Sequence, residues 1–132
     1  MSHLFETEVF YEDTDLSGFV YHANYLKFIE RARSAWVAGL GVDQNAMLEA
    51  GLVFAVRRVE ADFLSPARLG DVLAVETVVA TRTAARMVLA QRVIRDGAAL
   101  FEAQVTLVAM GTGGRPVRLP EALRGAADTE NS

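Results

Sequence analysis

Residues 11 to 25 read Tyr11-Glu-Asp-Thr-Asp15-Leu-Ser-Gly18-Phe-Val-Tyr-His22-Ala-Asn-Tyr25, gathering carboxylates, a glycine and a histidine in one short segment. A carboxylate held in a loop can attack a carbonyl or take a proton from water. A helix starting near His22 would offer unpaired N–H groups and the positive end of its dipole to an anion or a developing oxyanion. Gly18 lets the backbone turn sharply or approach a ligand closely. The same residues also have plainer uses. Asp13 and Asp15 can form Asx turns, and His22 can simply open a helix. Asp13-Thr-Asp15-Leu-Ser17-Gly18 looks like the first half of an EF-hand loop. Its twelfth position, however, is Asn24 where a bidentate Glu belongs, and the segment before it alternates like a strand. No metal site is expected.

The elements that must position this segment follow from periodicity. Leu4 to Tyr11 alternates as a strand does, and residues 12–18 form a polar loop. From about His22 to Leu40, Tyr25, Ile29, Ala32, Trp36 and Leu40 make a helical stripe, with Gly39 or Gly41 as its stop. A shorter helix is expected near Asp43 to Ala50. Strand patterns then follow around Val59–Phe63, Val72–Ala80, Met87–Arg95 and Phe101–Ala109, with Asp96-Gly97 as a tight hairpin and Gly111–Gly114 ending the sheet. One strand, one long helix and four hairpin-linked strands predict an antiparallel α+β domain over residues 1–120, with a flexible polar tail over 121–132. A sheet wrapped around one helix leaves a long edge exposed, so a dimer or larger assembly is expected.

Composition narrows the function. The 132 residues are 52% hydrophobic and 23% charged, as in one globular domain. No apolar run reaches the ~18 residues of a membrane span, and the first ten residues lack the basic region of a secretory signal, so a cytoplasmic protein without membrane insertion is expected. The absence of cysteine excludes disulfides, thiol catalysis and cysteine-ligated metal. A net charge of −4 argues against nucleic acid, while local arginines could still hold a small anion.

Taken together, Asp15-x-x-Gly18-x-Val20-x-His22-x-x-Tyr25 resembles the signature of the 4-hydroxybenzoyl-CoA thioesterase family, the hotdog-fold acyl-CoA thioesterases. Tyr11 to Asp15, Val20-Tyr-His22, Glu30-Arg-Ala-Arg33 and Ser65-Pro-Ala-Arg-Leu69 resemble its YbgC-like branch, which is associated with the Tol-Pal system. The likeness spans residues 5 to about 120. Phe19 and Glu8 depart from the usual residues, and Phe19 could reshape an acyl pocket.

The resemblance implies a hotdog fold, with a five-stranded antiparallel sheet around one long central helix. It also implies homodimers that assemble into homotetramers, with substrate sites at subunit interfaces. The family's catalytic Asp falls on Asp15, and its carbonyl-polarising N–H falls on His22, whose side chain could orient water or thiolate. Gly18, Tyr25 and Asp13 match the motif as supporting residues. A thioester has little resonance stabilisation, so a carboxylate and an oxyanion site suffice without a cofactor. Asp15 could serve as nucleophile or as general base. The second role would be helped by burial that raises its pKa.

Coenzyme A phosphates call for basic residues, and Arg82, Arg86 and Arg68 are candidates, with Arg115 and Arg118 behind them. Phe54, Val56 and Phe63 could line an apolar slot. Arg57 and Arg58 are expected to pair across strands, and Glu30, Arg31 and Arg33 locally or across an interface. An alternative function is an interaction module for acyl carrier protein or envelope-lipid enzymes, with weak hydrolysis. The assembled Asp15, Gly18 and His22 favour the enzyme. A hotdog dehydratase would need a catalytic histidine elsewhere, and only His3 remains.

Overall fold

The computed structural model describes residues 2–123. Strand β1 (His3–Glu8) stops three residues short of the expected Tyr11 because Asp13 captures the chain. The Asp13 carboxylate accepts the Phe10 N–H at 2.9 Å, and Tyr11–Asp13 closes into a 3-10 turn. A short polar side chain here competes successfully with the strand ladder.

Helix α1 (Asn24–Gly39) buries Tyr25, Phe28, Ile29, Ala32, Trp36 and Val37, the stripe expected of it. Of the two possible stops, Gly41 is the one used, at φ 81°. Its N–H donates to the Ala38 carbonyl and that of Val42 to the Val37 carbonyl, which satisfies the last helical acceptors. Helix α2 (Gln44–Glu49) is capped by the Asp43 carboxylate and followed by Gly51 at φ 80°.

Strands β2 (Val53–Phe63), β3 (Val72–Arg82), β4 (Arg86–Arg95) and β5 (Ala98–Met110) join β1 in the antiparallel order β1-β3-β4-β5-β2. Asp96 and Gly97 both take positive φ, as a tight hairpin requires. The sheet does not end at Gly111–Gly114. Those glycines turn the chain back, and a short β6 (Pro116–Val117) pairs with Ala109 and Met110 just past the point where β4 stops at Val108. The expected five strands are therefore five long ones and a sixth of two residues. The core also runs beyond residue 120, since Leu119 and Leu123 are buried with Trp36, Met87 and Leu89. Residues 124–132 of the expected tail lie outside the described residues.

The helix packs against β1, β3 and β4 and leaves the inward row of β2 uncovered. Val56, Val59 and Phe63 are 45%, 40% and 53% exposed although they follow the core-facing side of the sheet. Arg58 pairs with Glu60 of its own strand at 3.1 Å rather than across strands. The two are neighbours on one face of an edge strand, with no neighbour on the outer side to reach for. No helix among the described residues is long and apolar enough to cross a membrane.

Candidate active site

Residues 13–21 form a small hairpin of their own. Thr14 bridges Val20, the Asp15 N–H donates to the Phe19 carbonyl, and the Gly18 N–H donates to the Asp15 carbonyl. Gly18 sits at φ 83° with open space around it, so turn geometry is what requires a glycine there. At the tip, Asp15 Oδ1 accepts from the Ser17 N–H at 2.8 Å and from the Ser17 hydroxyl. Oδ2 has no hydrogen-bond partner among the described residues and faces solvent.

Those two donors decide the electrostatics of Asp15. The Ser17 hydroxyl and then its N–H hold the carboxyl below the ordinary 3.8, and His22 adds a smaller pull in the same direction. The burial that would have made Asp15 a better base is not found, because the side chain is exposed and its pKa moves down.

Asp13 is the opposite kind of carboxylate. It is 2% exposed, and Oδ2 accepts the Phe10 N–H while Oδ1 accepts Asn24 Nδ2, both at 2.9 Å. Its carbonyl takes the Tyr21 N–H. Asp13 thus ties the hairpin to the first turn of α1 and fixes where that helix begins. The turn opens without a side-chain cap, and the N–H groups of His22 and Ala23 have no acceptor among the described residues. These are the free donors that the sequence led one to expect near His22.

Tyr25 is buried, and its ring stacks on Phe101 at 5.1 Å and meets Phe63 edge-on at 5.8 Å. Its hydroxyl accepts the Ala67 N–H at 2.9 Å, and burial raises its pKa above the ordinary 10.0. Tyr25 is therefore an anchor for the 65–68 segment. In that segment the Ala67 carbonyl accepts a hydrogen bond from the Val20 N–H. Beside the free donors, Val20, His22, Tyr25 and Phe63 line a cavity of about 250 Å³. The His22 ring lies edge-on to Phe63 at 6.2 Å. The exposed anionic carboxylate of Asp15 does not line that cavity but sits on the loop that leads to the unclaimed N–H donors beside it, and these are the groups needed to polarise a carbonyl and attack it.

Comparison with known proteins agrees in kind. The sequence profile of the thioesterase-like superfamily matches residues 9–127. The acyl-CoA thioesterase YbgC of Haemophilus influenzae is 38% identical over 124 residues, which cover 92% of this chain and 91% of that protein. The chain belongs to the thioesterase-like superfamily. Within it the likeness is to the YbgC-like branch, and the protein is a thioester hydrolase. The structure of a probable thioesterase from Bartonella henselae superposes with a TM-score of 0.86 at 34% identity, covering 91% of this chain and 100% of that one. A 1,4-dihydroxy-2-naphthoyl-CoA thioesterase from Synechocystis has a TM-score of 0.91 at 21% identity, covering 100% and 99%. The shared fold is the hotdog.

In this thioesterase the other expected residues divide. Arg68 stands at the site, its guanidinium 5.2 Å from the centre of the Phe19 ring, so Phe19 supports an arginine rather than shaping the cavity. Arg82 and Arg86 are not brought to the site. They flank the turn at the far end of β3 and β4, a strand length of roughly 30 Å away within the chain. Phe63 lines the cavity as expected, while Phe54 and Val56 line a separate depression further along β2. Two contributors went unforeseen. Ser17 could have been found from its place two residues after an aspartate, the spacing of an Asx turn. Asn24 had no local signal, because its partner lies across a loop whose path depends on the fold. Among the described residues no cluster of three or more His, Cys, Asp or Glu is placed to hold a metal ion.

Proposed function

We propose that the protein hydrolyses acyl-CoA thioesters to free acid and CoA, with Asp15 as the nucleophile and the His22 N–H as oxyanion donor. The observation that carries this reading is the free Oδ2 of an exposed, low-pKa carboxylate on the same loop that leads to unclaimed helix N-terminal donors. The exposed Oδ2 is open to an approaching thioester carbon, and no burial raises the basicity of the carboxylate for proton abstraction, so attack is the step proposed. Oδ2 adds to the thioester carbon, and the oxyanion is held by the N–H donors. Collapse expels CoA thiolate, which is protonated from water, and leaves a mixed anhydride on Asp15. Water then opens the anhydride, releasing the acid and restoring the carboxylate.

Thiol release from a panel of short, long and aromatic acyl-CoA esters tests the reaction. The hydrogen bonds from Ser17 stabilise the charged form, so Asp15 reaches half-protonation only at a pH below the ordinary 3.8. The expected kcat/KM is accordingly flat as pH falls from 7 to about 5, and Ser17→Ala moves the acid limb upward. A half-activity point between pH 5 and 7 would make some other group limiting. Inactivity on every CoA ester would shift the reading to acyl carrier protein thioesters.

We also infer a homodimer formed through β2. Among the described residues this strand has a partner only on its β5 side, and its inward row is apolar and exposed. Antiparallel pairing of two β2 edges would bring the far end of the partner's sheet, with Arg82 and Arg86 of the partner subunit, to the end where Asp15 and His22 lie. Those arginines could then meet CoA phosphates together with Arg68. Sedimentation equilibrium is expected to give twice the 14.3 kDa chain mass for the dimer, or four times that mass where dimers assemble into the expected homotetramer, and a monomer at micromolar concentration would rule the pairing out.

A further inference from the structure

Past the cavity at His22, the uncovered side of the sheet continues as a trough between α1 and β2. His22, Leu26, Ile29 and Arg33 follow one another at helical spacing along it. Leu26, Ile29 and Arg33 line a hollow of about 360 Å³ with Val56 and Val59, and Arg33 also lines the next hollow towards Phe54. The walls are mainly apolar, which makes a guanidinium there an expensive feature to keep.

Arg33 is held in place by a buried network. Its Nη1 donates to Gln91 Oε1 at 3.0 Å. Gln91 is fully buried, and its Nε2 donates to the Ile29 carbonyl at 2.9 Å and to Thr77 Oγ1 at 3.0 Å. Both amide hydrogens are committed, so the oxygen must face Arg33 and the arginine is fixed in turn. The remaining guanidinium donors have no acceptor among the described residues. No carboxylate of the described chain lies within 4.0 Å of them. Glu30 lines the same trough but stays beyond that distance. Burial strips water from the group and lowers its pKa, with Glu30 opposing. A desolvated planar fork with free donors matches a carboxylate in two-point contact.

We propose that the enzyme takes acyl-CoA thioesters whose acyl chain ends in a carboxylate, and that Arg33 binds that distal carboxylate. The inference rests on the thioesterase reading and names its substrate class. Eleven residues separate His22 from Arg33, about 16 Å along the helix axis, and the arginine side chain leans back towards the helix start. A linear chain of about six to ten carbons spans the remainder when extended. Lys27 adds a second cation at the trough and offsets Glu30. An alkyl chain without a terminal carboxylate would fill the trough and leave Arg33 buried against methylenes, so the same residue disfavours it.

The test compares octanoyl-CoA with 7-carboxyheptanoyl-CoA, first by hydrolysis and then by calorimetric binding of their non-hydrolysable thioether analogues. Wild type is expected to prefer the carboxylated chain about 10- to 100-fold in both measurements. Arg33→Met should abolish that preference by lowering turnover of the carboxylated ester and raising that of octanoyl-CoA, and Glu30→Gln, an exposed change, should sharpen the preference of the wild-type arginine. Equal treatment of the two chains by wild type overturns the proposal without recourse to any variant. So does an Arg33→Met protein that loses both substrates equally or sediments as a monomer, since Arg33 would then serve the partner's Glu30 instead of substrate. Binding preference without hydrolysis of either ester would retain Arg33 as a carboxylate site and remove the reading that acyl-CoA esters are the thioesters hydrolysed.

Discussion

Asp15→Asn is expected to lower turnover of a hydrolysed acyl-CoA ester by at least about a hundredfold while the melting temperature stays near that of wild type. The substitution keeps the shape of the side chain and still lets its oxygen accept from Ser17, so the hairpin tip has no reason to move. It replaces the free Oδ2 with an amide nitrogen whose lone pair is delocalised, leaving nothing to attack the thioester carbon. The loss should fall on kcat, because an exposed tip carboxylate contributes little to holding the acyl chain. Thiol release under saturating substrate, together with a thermal scan, checks both halves. Equal rates in the two proteins would remove Asp15 from the chemistry and leave the helix N-terminus as the only assigned part.

Asp13→Asn, two residues away, is expected to do the reverse in order of cause. Both oxygens of Asp13 accept from donors that cannot turn elsewhere, the Phe10 N–H and the Asn24 side chain. An asparagine offers one oxygen, and its amide must face the other donor at close range inside the protein. The lost bond and the buried clash of donors together cost about 3 kcal/mol, which for a chain of this size lowers the melting temperature by about 10 °C. Turnover should fall as well, because the start of α1 and its free N–H groups are placed by this carboxylate. Thermal unfolding measured beside kcat separates the two aspartates. An Asp13→Asn protein as stable as wild type would show that the tie between hairpin and helix is dispensable.

The sequence and the structure agree where a residue's use is decided by its neighbours along the chain. The stripe on α1, the Asp96-Gly97 hairpin and the grouping of Asp15, Gly18 and His22 were all legible, because local spacing determines them. The end of β1 was misplaced because a side chain eleven positions before its helical partner takes hold of the backbone there. The direction of the Asp15 pKa was also hidden. It depends on whether Ser17 or a packed wall meets the carboxylate, and composition does not distinguish these. The separation of Arg82 and Arg86 from the site is a matter of strand direction, which a list of strands leaves open. The short β6 has two residues and no alternation to reveal it.

Strand order also bears on how large an assembly can grow. Besides the long β2, the main sheet has among the described residues one other free edge, β1, with six residues and an outward row that includes Glu6 and Glu8. A short, acidic edge is a poor template for a neighbour, and joining β1 of one copy to β2 of the next would align a six-residue strand with an eleven-residue one. Growth by head-to-tail addition, the route to an open filament, is therefore opposed at one of its two ends. Self-pairing of β2 uses the same edge twice and is finished after a single contact. In the proposed pairing β2 is the margin that joins copies and β1 the margin that does not, and that asymmetry would limit extension of the sheet.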